Sequence, residues 1–355
     1  MVEPLPHVRD IPPYVPGKPA VPQPGLTTFK LSSNENPYPP LPGVLATAQQ
    51  AAEAMNRYPD MGCVALYDAL ATRLGVGTDE LAAGTGSVAL IYHLLSAYCG
   101  IGDEVVHAWR SFEAYPIAIT AAGATGVKVP VTADGRHDLS AMAAAITDRT
   151  RAVLLCTPNN PTGPALGHAE VATFVAGVPD DVLVVVDEAY LEFVRMADPV
   201  DGLALLRGHP NVVLLRTFSK AYGLAGLRVG YAVATPEVAG ALRAVALPFG
   251  VSSVAQAAAV ASLAHEEDLM ARVDALVEER DRLVAGITDA GWTVPEPQGN
   301  FVWFDLGERT ADLAATFGDA GLAVRPFAGE GLRISVGEPE ATDRLVALLR
   351  TTPPA

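Results

Sequence analysis

Cysteine is scarce in this chain of 355 residues: Cys63, Cys99 and Cys156 stand far apart, with no CxxC pair. That spacing argues against a disulfide scaffold or a thiolate zinc site. The seven histidines (7, 93, 107, 137, 168, 209 and 265) show no HxxxH or HxH spacing, so no metal centre is expected. Basic charge is short as well. Lys and Arg total 24 against 40 Asp and Glu, a net charge of −16. A polyanion is not drawn to nucleic acid or to an anionic membrane surface, although a small anion in a local basic pocket remains open. Long apolar runs are missing too. The longest uncharged stretch, Ala244 to Ala264, contains Pro248, Gly250, Ser252, Ser253 and Gln256 and is otherwise mostly alanine. It reads as a packed helix with its entry loop rather than a membrane span. The N-terminus, broken by prolines and charges, does not read as a signal peptide, and a cytoplasmic protein is expected.

What the chain does have is apolar mass. Half its residues are apolar and 18% are charged, enough for a large core, and its length predicts about two domains. Residues 1–30 hold eight prolines, which favours an extended arm over helix or central strand. An alanine-rich helix is expected near 43–56. From about 80 to 235, short apolar runs alternate with helical segments: Asp103–Ala108, Gly126–Pro130, Ala152–Cys156, Val182–Val186, Val212–Arg216 and Val229–Ala234. Several are continuously apolar, as strands buried on both faces should be. The pattern predicts an α/β domain with a mostly parallel, mixed sheet sandwiched by helices. After Pro248 a long helical stretch, about Ser253 to Ala290, leads to strand-like runs at Gly299–Leu306 and Leu332–Val336 with a helix at about 310–320 between them. The expected division is an arm (1–30), a large domain (31–247) and a smaller α+β domain (248–355), with 31–47 packing against the latter.

The chemistry concentrates at predicted strand ends, where open α/β sheets bind ligands. In NVVLLRTFSKAYGLAGLRVGY (211–231) an apolar strand ends at Thr217, and Ser219 and Lys220 follow. Lys220 is either a surface lysine closing a strand or a reactive amine. Hydroxyls at 217 and 219 with a guanidinium at Arg228 favour the second reading, because together they form a phosphate clamp. In DVLVVVDEAY (181–190) a buried run delivers Asp187 to a strand end. That carboxylate is either a helix cap or the partner of a protonated ring nitrogen. Tyr190 follows three residues on, packing there or pointing into the same crevice. CTPNNPTG (156–163) is another strand end running into a turn. GTGS (84–87) opens a helix whose free N–H groups suit a phosphate. The same residues imitate a dinucleotide fingerprint, but only a brief ELAA precedes them rather than a proper strand, and no acidic residue ends a second strand at the right distance. Together, an amine, a carboxylate and an anion site match pyridoxal 5′-phosphate. Phe112, in WRSFEAYP (109–116), is either core packing or an aromatic lid over its ring.

FSKAYGLAGLRVGY, CTPNNPTG, VVVDEAY and NRYPD (56–60) resemble the fold-type I aminotransferases, particularly the histidinol-phosphate aminotransferase group and its aromatic-amino-acid relatives. The resemblance runs from PYVPGKP (13–19) to LRISVG (332–337). It implies that Lys220 bonds the cofactor and moves the substrate Cα proton, and that Asp187 pairs with the pyridine nitrogen. Asn160 and Tyr190 would hydrogen-bond the phenolic oxygen. Gly86, Ser87, Val88, Thr217, Ser219 and Arg228 would hold the phosphate, and Tyr58 would reach the phosphate of the other subunit of a homodimer. Arg333 would grip the substrate α-carboxylate.

Family members commonly carry acidic residues just after the phosphate-binding glycine and serine; here Val88 and Ala89 follow. AWRSFEAYPI (108–117), GERT (307–310) and VRPF (324–327) look more like the aromatic branch than the histidinol-phosphate branch. Arg325 is read either as a contact for a substrate phosphate or as a surface arginine leaning on Phe327. Tyr14 and Asn36 are expected to line the side-chain pocket. The favoured reaction is transamination of aromatic amino acids with 2-oxoglutarate; histidinol phosphate is the alternative substrate.

Overall fold

The computed structural model describes residues 2–9 and 11–354. Its centre is a seven-stranded sheet ordered Leu81–Gly84, Gly230–Val233, Val212–Thr217, Leu183–Asp187, Thr150–Cys156, Glu104–Trp109 and Thr125–Pro130. Gly230–Val233 runs antiparallel to both neighbours, and the remaining pairings are parallel. Side chains alternate between two apolar layers. Val184, Val186 and Leu214 enter one, and Val185, Val213 and Leu215 enter the other. Burial on both faces explains why these runs are continuously apolar rather than alternating.

The expected six strands of this sheet are present, with ends shifted by up to two residues. A seventh, Leu81–Gly84, corrects the sequence reading of ELAA as no proper strand. Alanine and glycine have low strand propensity, and pairing with Gly230–Val233 at the sheet edge supplies what propensity does not.

A second sheet is antiparallel, in the order Arg325–Phe327, Gly331–Ser335, Phe301–Asp305. The expected helix from Ser253 to Ala290 is two helices, Ser253–Ala264 and Glu266–Asp289, interrupted at His265. Glu266, Glu267 and Asp268 crowd the first turn of the second helix, where its dipole favours negative charge. Helix Pro42–Ala52 packs against Ser253–Ala264.

The proline-rich arm is not wholly extended, since Pro6–Arg9 forms one helical turn. Further on, Ser32 Oγ donates to the Lys18 carbonyl at 2.7 Å, and Arg325 Nη2 donates to the Val15 carbonyl at 2.6 Å. Phe29–Lys30 then pairs in parallel with Leu322–Ala323. This route brings residues 31–34 alongside the second sheet, where the Ser335 amide donates to the Leu31 carbonyl at 2.9 Å.

Candidate active site

Beyond the carboxyl ends of the large sheet's strands lies a cavity of about 210 Å³, closed on the far side by the second sheet and the arm. The in-register neighbours Cys156 and Asp187 both reach it. Lys220 lines the same cavity, so the amine and the carboxylate meet one space.

Lys220 follows the end of strand Val212–Thr217, and its Nζ donates to the Ser33 carbonyl at 3.0 Å. Burial, then the nearby Arg333 cation, lowers its pKa to about 7. Both effects disfavour the ammonium form, which leaves the amine poised to act as a nucleophile near neutrality.

Asp187 is 4% exposed, and burial pushes its carboxyl up to about 6. Its Oδ2 accepts from the Tyr115 hydroxyl at 2.8 Å, and its Oδ1 accepts from the Ala189 amide at 3.3 Å. No regular helix starts at this carboxylate, so the helix-cap reading does not hold. The Asp187 carboxyl has no cationic partner among the described residues, and a protonated ring nitrogen would provide one.

The anion end of the cavity is built by backbone geometry. Gly86 takes φ +85° at the start of helix Ser87–Tyr98. A Cβ there would fall 2.6 Å from Arg228 Nη2, so only glycine lets that guanidinium approach. Arg228 itself sits at φ +57° and donates through Nη1 to Ser219 Oγ at 3.3 Å and to the Ala225 carbonyl at 2.9 Å. Ser87, Val88, Thr217, Ser219 and Arg228 all line the cavity.

Arg333, on strand Gly331–Ser335, is 8% exposed. It donates to Asn160 Oδ1 at 2.6 Å and to the Ser32 carbonyl at 2.9 Å, and its Nε finds no partner. No carboxylate neutralises it among the described residues. A buried, unpaired guanidinium is a ready receptor for a substrate carboxylate.

Arg325 lines the cavity beside Arg333. It is 7% exposed, so it is no surface arginine, although its guanidinium does lie 4.9 Å from the Phe327 ring centroid. Nor is it a free cation, because Nη2 donates to Glu113 Oε2 at 2.8 Å.

The remaining expected residues divide. Tyr14 and Phe112 line the cavity. Tyr190 does so with its ring packed edge-on against Phe301 and its hydroxyl accepting from Asn34 Nδ2 at 3.0 Å, so it serves both packing and the crevice. Asn36 does not line the cavity: its Nδ2 donates to the Ala221 carbonyl, and its Oδ1 accepts from the Tyr38 amide, which fixes a turn. Asn34, two residues earlier, is the buried one. It stands at φ +52°, a conformation asparagine tolerates. Tyr58 lies outside the cavity, 82% exposed and stacked on Phe249 at 4.6 Å.

Sequence reasoning did not single out Tyr115, Asn34, Ser33 or Glu113. Tyr115 sits in the quoted WRSFEAYP segment, but nothing local signals that its hydroxyl meets Asp187. Among the described residues no group of three or more His, Cys, Asp or Glu side chains could hold a metal ion, and no helix is long and apolar enough to cross a membrane.

The donor set fits pyridoxal 5′-phosphate: a low-pKa amine, a buried carboxyl without a cationic partner and a glycine-led anion site share one cavity. The comparisons agree with this class of site. Residues 27–349 match the family model "Aminotransferase class I and II", and the chain belongs to that family. It is 59% identical over 337 residues to an aromatic amino acid aminotransferase of Streptomyces avermitilis, covering 95% of this chain and 94% of that one. A second relative carrying that name, from Streptomyces coelicolor, is 57% identical over 337 residues, with the same coverage. Among solved structures, histidinol-phosphate aminotransferase from Sinorhizobium meliloti in complex with pyridoxal-5′-phosphate superposes with a TM-score of 0.84. It is 32% identical and matches 90% of this chain and 89% of that one.

Proposed function

We propose that the protein is a pyridoxal-phosphate-dependent aminotransferase acting on aromatic L-amino acids, with 2-oxoglutarate as amino acceptor. The observation that carries this reading is the pairing, in one cavity, of the low-pKa amine of Lys220 with the unneutralised guanidinium of Arg333. An α-amino acid presents a carboxylate to Arg333 and an amine that would take the place of Lys220 at the cofactor's aldehyde. The names of the relatives support the aromatic substrate class, as do Tyr14, Phe112 and Phe327 in the cavity wall.

Ser87, Val88, Thr217, Ser219 and Arg228, with the Gly86 backbone, would hold the cofactor phosphate at the helix start. Asp187, oriented by Tyr115, would keep a proton on the ring nitrogen. Tyr190 and Asn160 would hydrogen-bond the ring's phenolic oxygen, and Phe112 would pack on the ring. Bound there, the cofactor supplies an aldehyde for the substrate amine and a ring that takes up the electron pair left when Cα loses its proton. Arg333 fixes the carboxylate, so the Cα–H bond is held still relative to Lys220. Lys220 Nζ removes that proton and returns one on the far side of the reaction. Once the keto acid departs, the amino group stays in the site until a second keto acid collects it.

Tyr58, exposed beside Phe249, is available to a second copy of the chain, and the active unit in this reading is a homodimer with shared sites. All three cysteines are free, in keeping with a reducing cytoplasm. The test mixes the holoenzyme with phenylalanine alone. Transamination yields one equivalent of phenylpyruvate per site and stops until 2-oxoglutarate is added. Ammonia or carbon dioxide release would assign a different chemistry. Comparing catalytic efficiency on phenylalanine, tyrosine and histidinol phosphate then separates the substrate classes.

A further inference from the structure

We propose that Glu113 is a specificity-determining residue: by occupying Arg325, it limits the substrate's anion site to Arg333 and so selects a carboxylate over a phosphate. The proposal rests on the aminotransferase reading and deepens it.

Arg325 and Arg333 face each other directly across two antiparallel strands. Directly opposed residues point to the same side, with Cβ atoms about 5 Å apart. Both are buried, and both reach the cavity. Two adjacent guanidiniums form a receptor wide enough for a phosphate, with its three oxygens and near-double charge. A carboxylate needs only one. The chain leaves Arg333 without an acidic partner but places Glu113 Oε2 at 2.8 Å from Arg325 Nη2.

Glu113 stands at the N-cap of helix Ala114–Ala121, yet its side chain makes no capping hydrogen bond. Its carboxylate is turned into the cavity instead, next to Phe112. A phosphate placed on Arg333 would therefore meet a fixed negative charge where its second cation should be. Selection by like-charge repulsion acts against the unwanted ligand and leaves the wanted one undisturbed. Arg325 is also tied to the Val15 carbonyl at 2.6 Å, so it is not free to swing away from Glu113 without releasing the arm.

Histidine and histidinol phosphate make a matched pair for the test. They share the imidazole side chain and differ in carrying a carboxylate or a phosphorylated hydroxymethyl group on the amine-bearing carbon. Each would be given alone to the holoenzyme, and the half-reaction followed by the cofactor's visible band. Glu113→Gln keeps the shape and an oxygen for Arg325 while removing the charge. It should raise the efficiency ratio, histidinol phosphate over histidine, by about tenfold or more. Glu113→Asp keeps the charge and should leave the ratio near the wild-type value. Glu113→Ala carries the same expectation as the glutamine variant, so instability of either leaves the other to decide. As a second readout, inorganic phosphate should inhibit the phenylalanine half-reaction more strongly in the charge-free variants.

A purely structural role for Glu113 would lower both efficiencies together and leave the ratio unmoved, which would overturn the proposal. An equal shift in the aspartate variant would overturn it too. Failure of the aromatic reading itself shows separately, as a wild-type enzyme that already prefers histidinol phosphate to phenylalanine.

Discussion

The hydroxyl of Tyr115 donates to Oδ2 of Asp187 at 2.8 Å, and both side chains are buried. This bond favours the ionised carboxylate against the burial that raises it. Removing the donor in Tyr115→Phe should push the carboxyl higher and weaken its hold on a ring-nitrogen proton. The expected result is a loss of activity of about tenfold, with the acid limb of the pH–rate profile moved to higher pH. Asp187→Ala should cost several orders of magnitude while the protein still binds cofactor. An unchanged acid limb in Tyr115→Phe would remove Tyr115 from this role.

Lys220 has a pKa near 7 because it is buried and sits close to Arg333. Its amine is mostly protonated below that value and neutral above it. The rate at which cofactor-free protein takes up pyridoxal phosphate covalently should therefore rise from about pH 6 to about pH 8. The same depression has a stability consequence. Between about 7 and the ordinary 10.5 the unfolded chain holds a proton that the folded chain has released. The penalty for burying this charge is thus relieved as pH rises across that window and is imposed in full below about 7, so cofactor-free stability rises with pH there. Stopped-flow uptake and thermal melts over this range check the two signs.

Arg333→Lys keeps a charge but gives up the planar fork that Asn160, Ser32 and a substrate carboxylate would share. Catalytic efficiency on phenylalanine should fall about ten- to a hundredfold, mostly through KM, with cofactor affinity little changed. Steady-state kinetics with a parallel cofactor titration measure both quantities. Equal losses in cofactor binding would place Arg333 in a different role.

Gly86→Ala asks whether the anion end depends on close approach. The added methyl would meet Arg228 Nη2 at 2.6 Å, at a φ of +85° that alanine rarely adopts. Cofactor affinity should drop by about tenfold or more, with a smaller effect on the turnover of enzyme saturated with cofactor. Equilibrium dialysis of the cofactor tests this directly.

Much of this site was legible because its members sit at strand ends with apolar runs leading to them. Lys220 and Asp187 each close such a run, and local pattern finds them, whereas Asn160, in the turn after another run, is singled out only by the family resemblance. Tyr115 and Glu113 were not legible, since their partners Asp187 and Arg325 lie 72 and 212 residues away. Only the packed fold joins them. Asn34 and Asn36 are indistinguishable in SNENP until backbone geometry turns one inward and ties the other to Ala221. In the fold, the strand Leu81–Gly84 escaped notice because its stability comes from its neighbour rather than its residues. The break at His265 did carry a signal in Glu266, Glu267 and Asp268, an acidic first turn within an otherwise continuous helical pattern.

The chain has four lysines, at 18, 30, 128 and 220, which makes the central claim open to a direct chemical test. Borohydride reduction of the protein incubated with pyridoxal phosphate, followed by peptide mass spectrometry, should place a single pyridoxyl group on Lys220. Lys220→Ala should keep its fold and lose both the adduct and turnover. A label on Lys18, Lys30 or Lys128 instead, or full turnover without Lys220, would contradict the account.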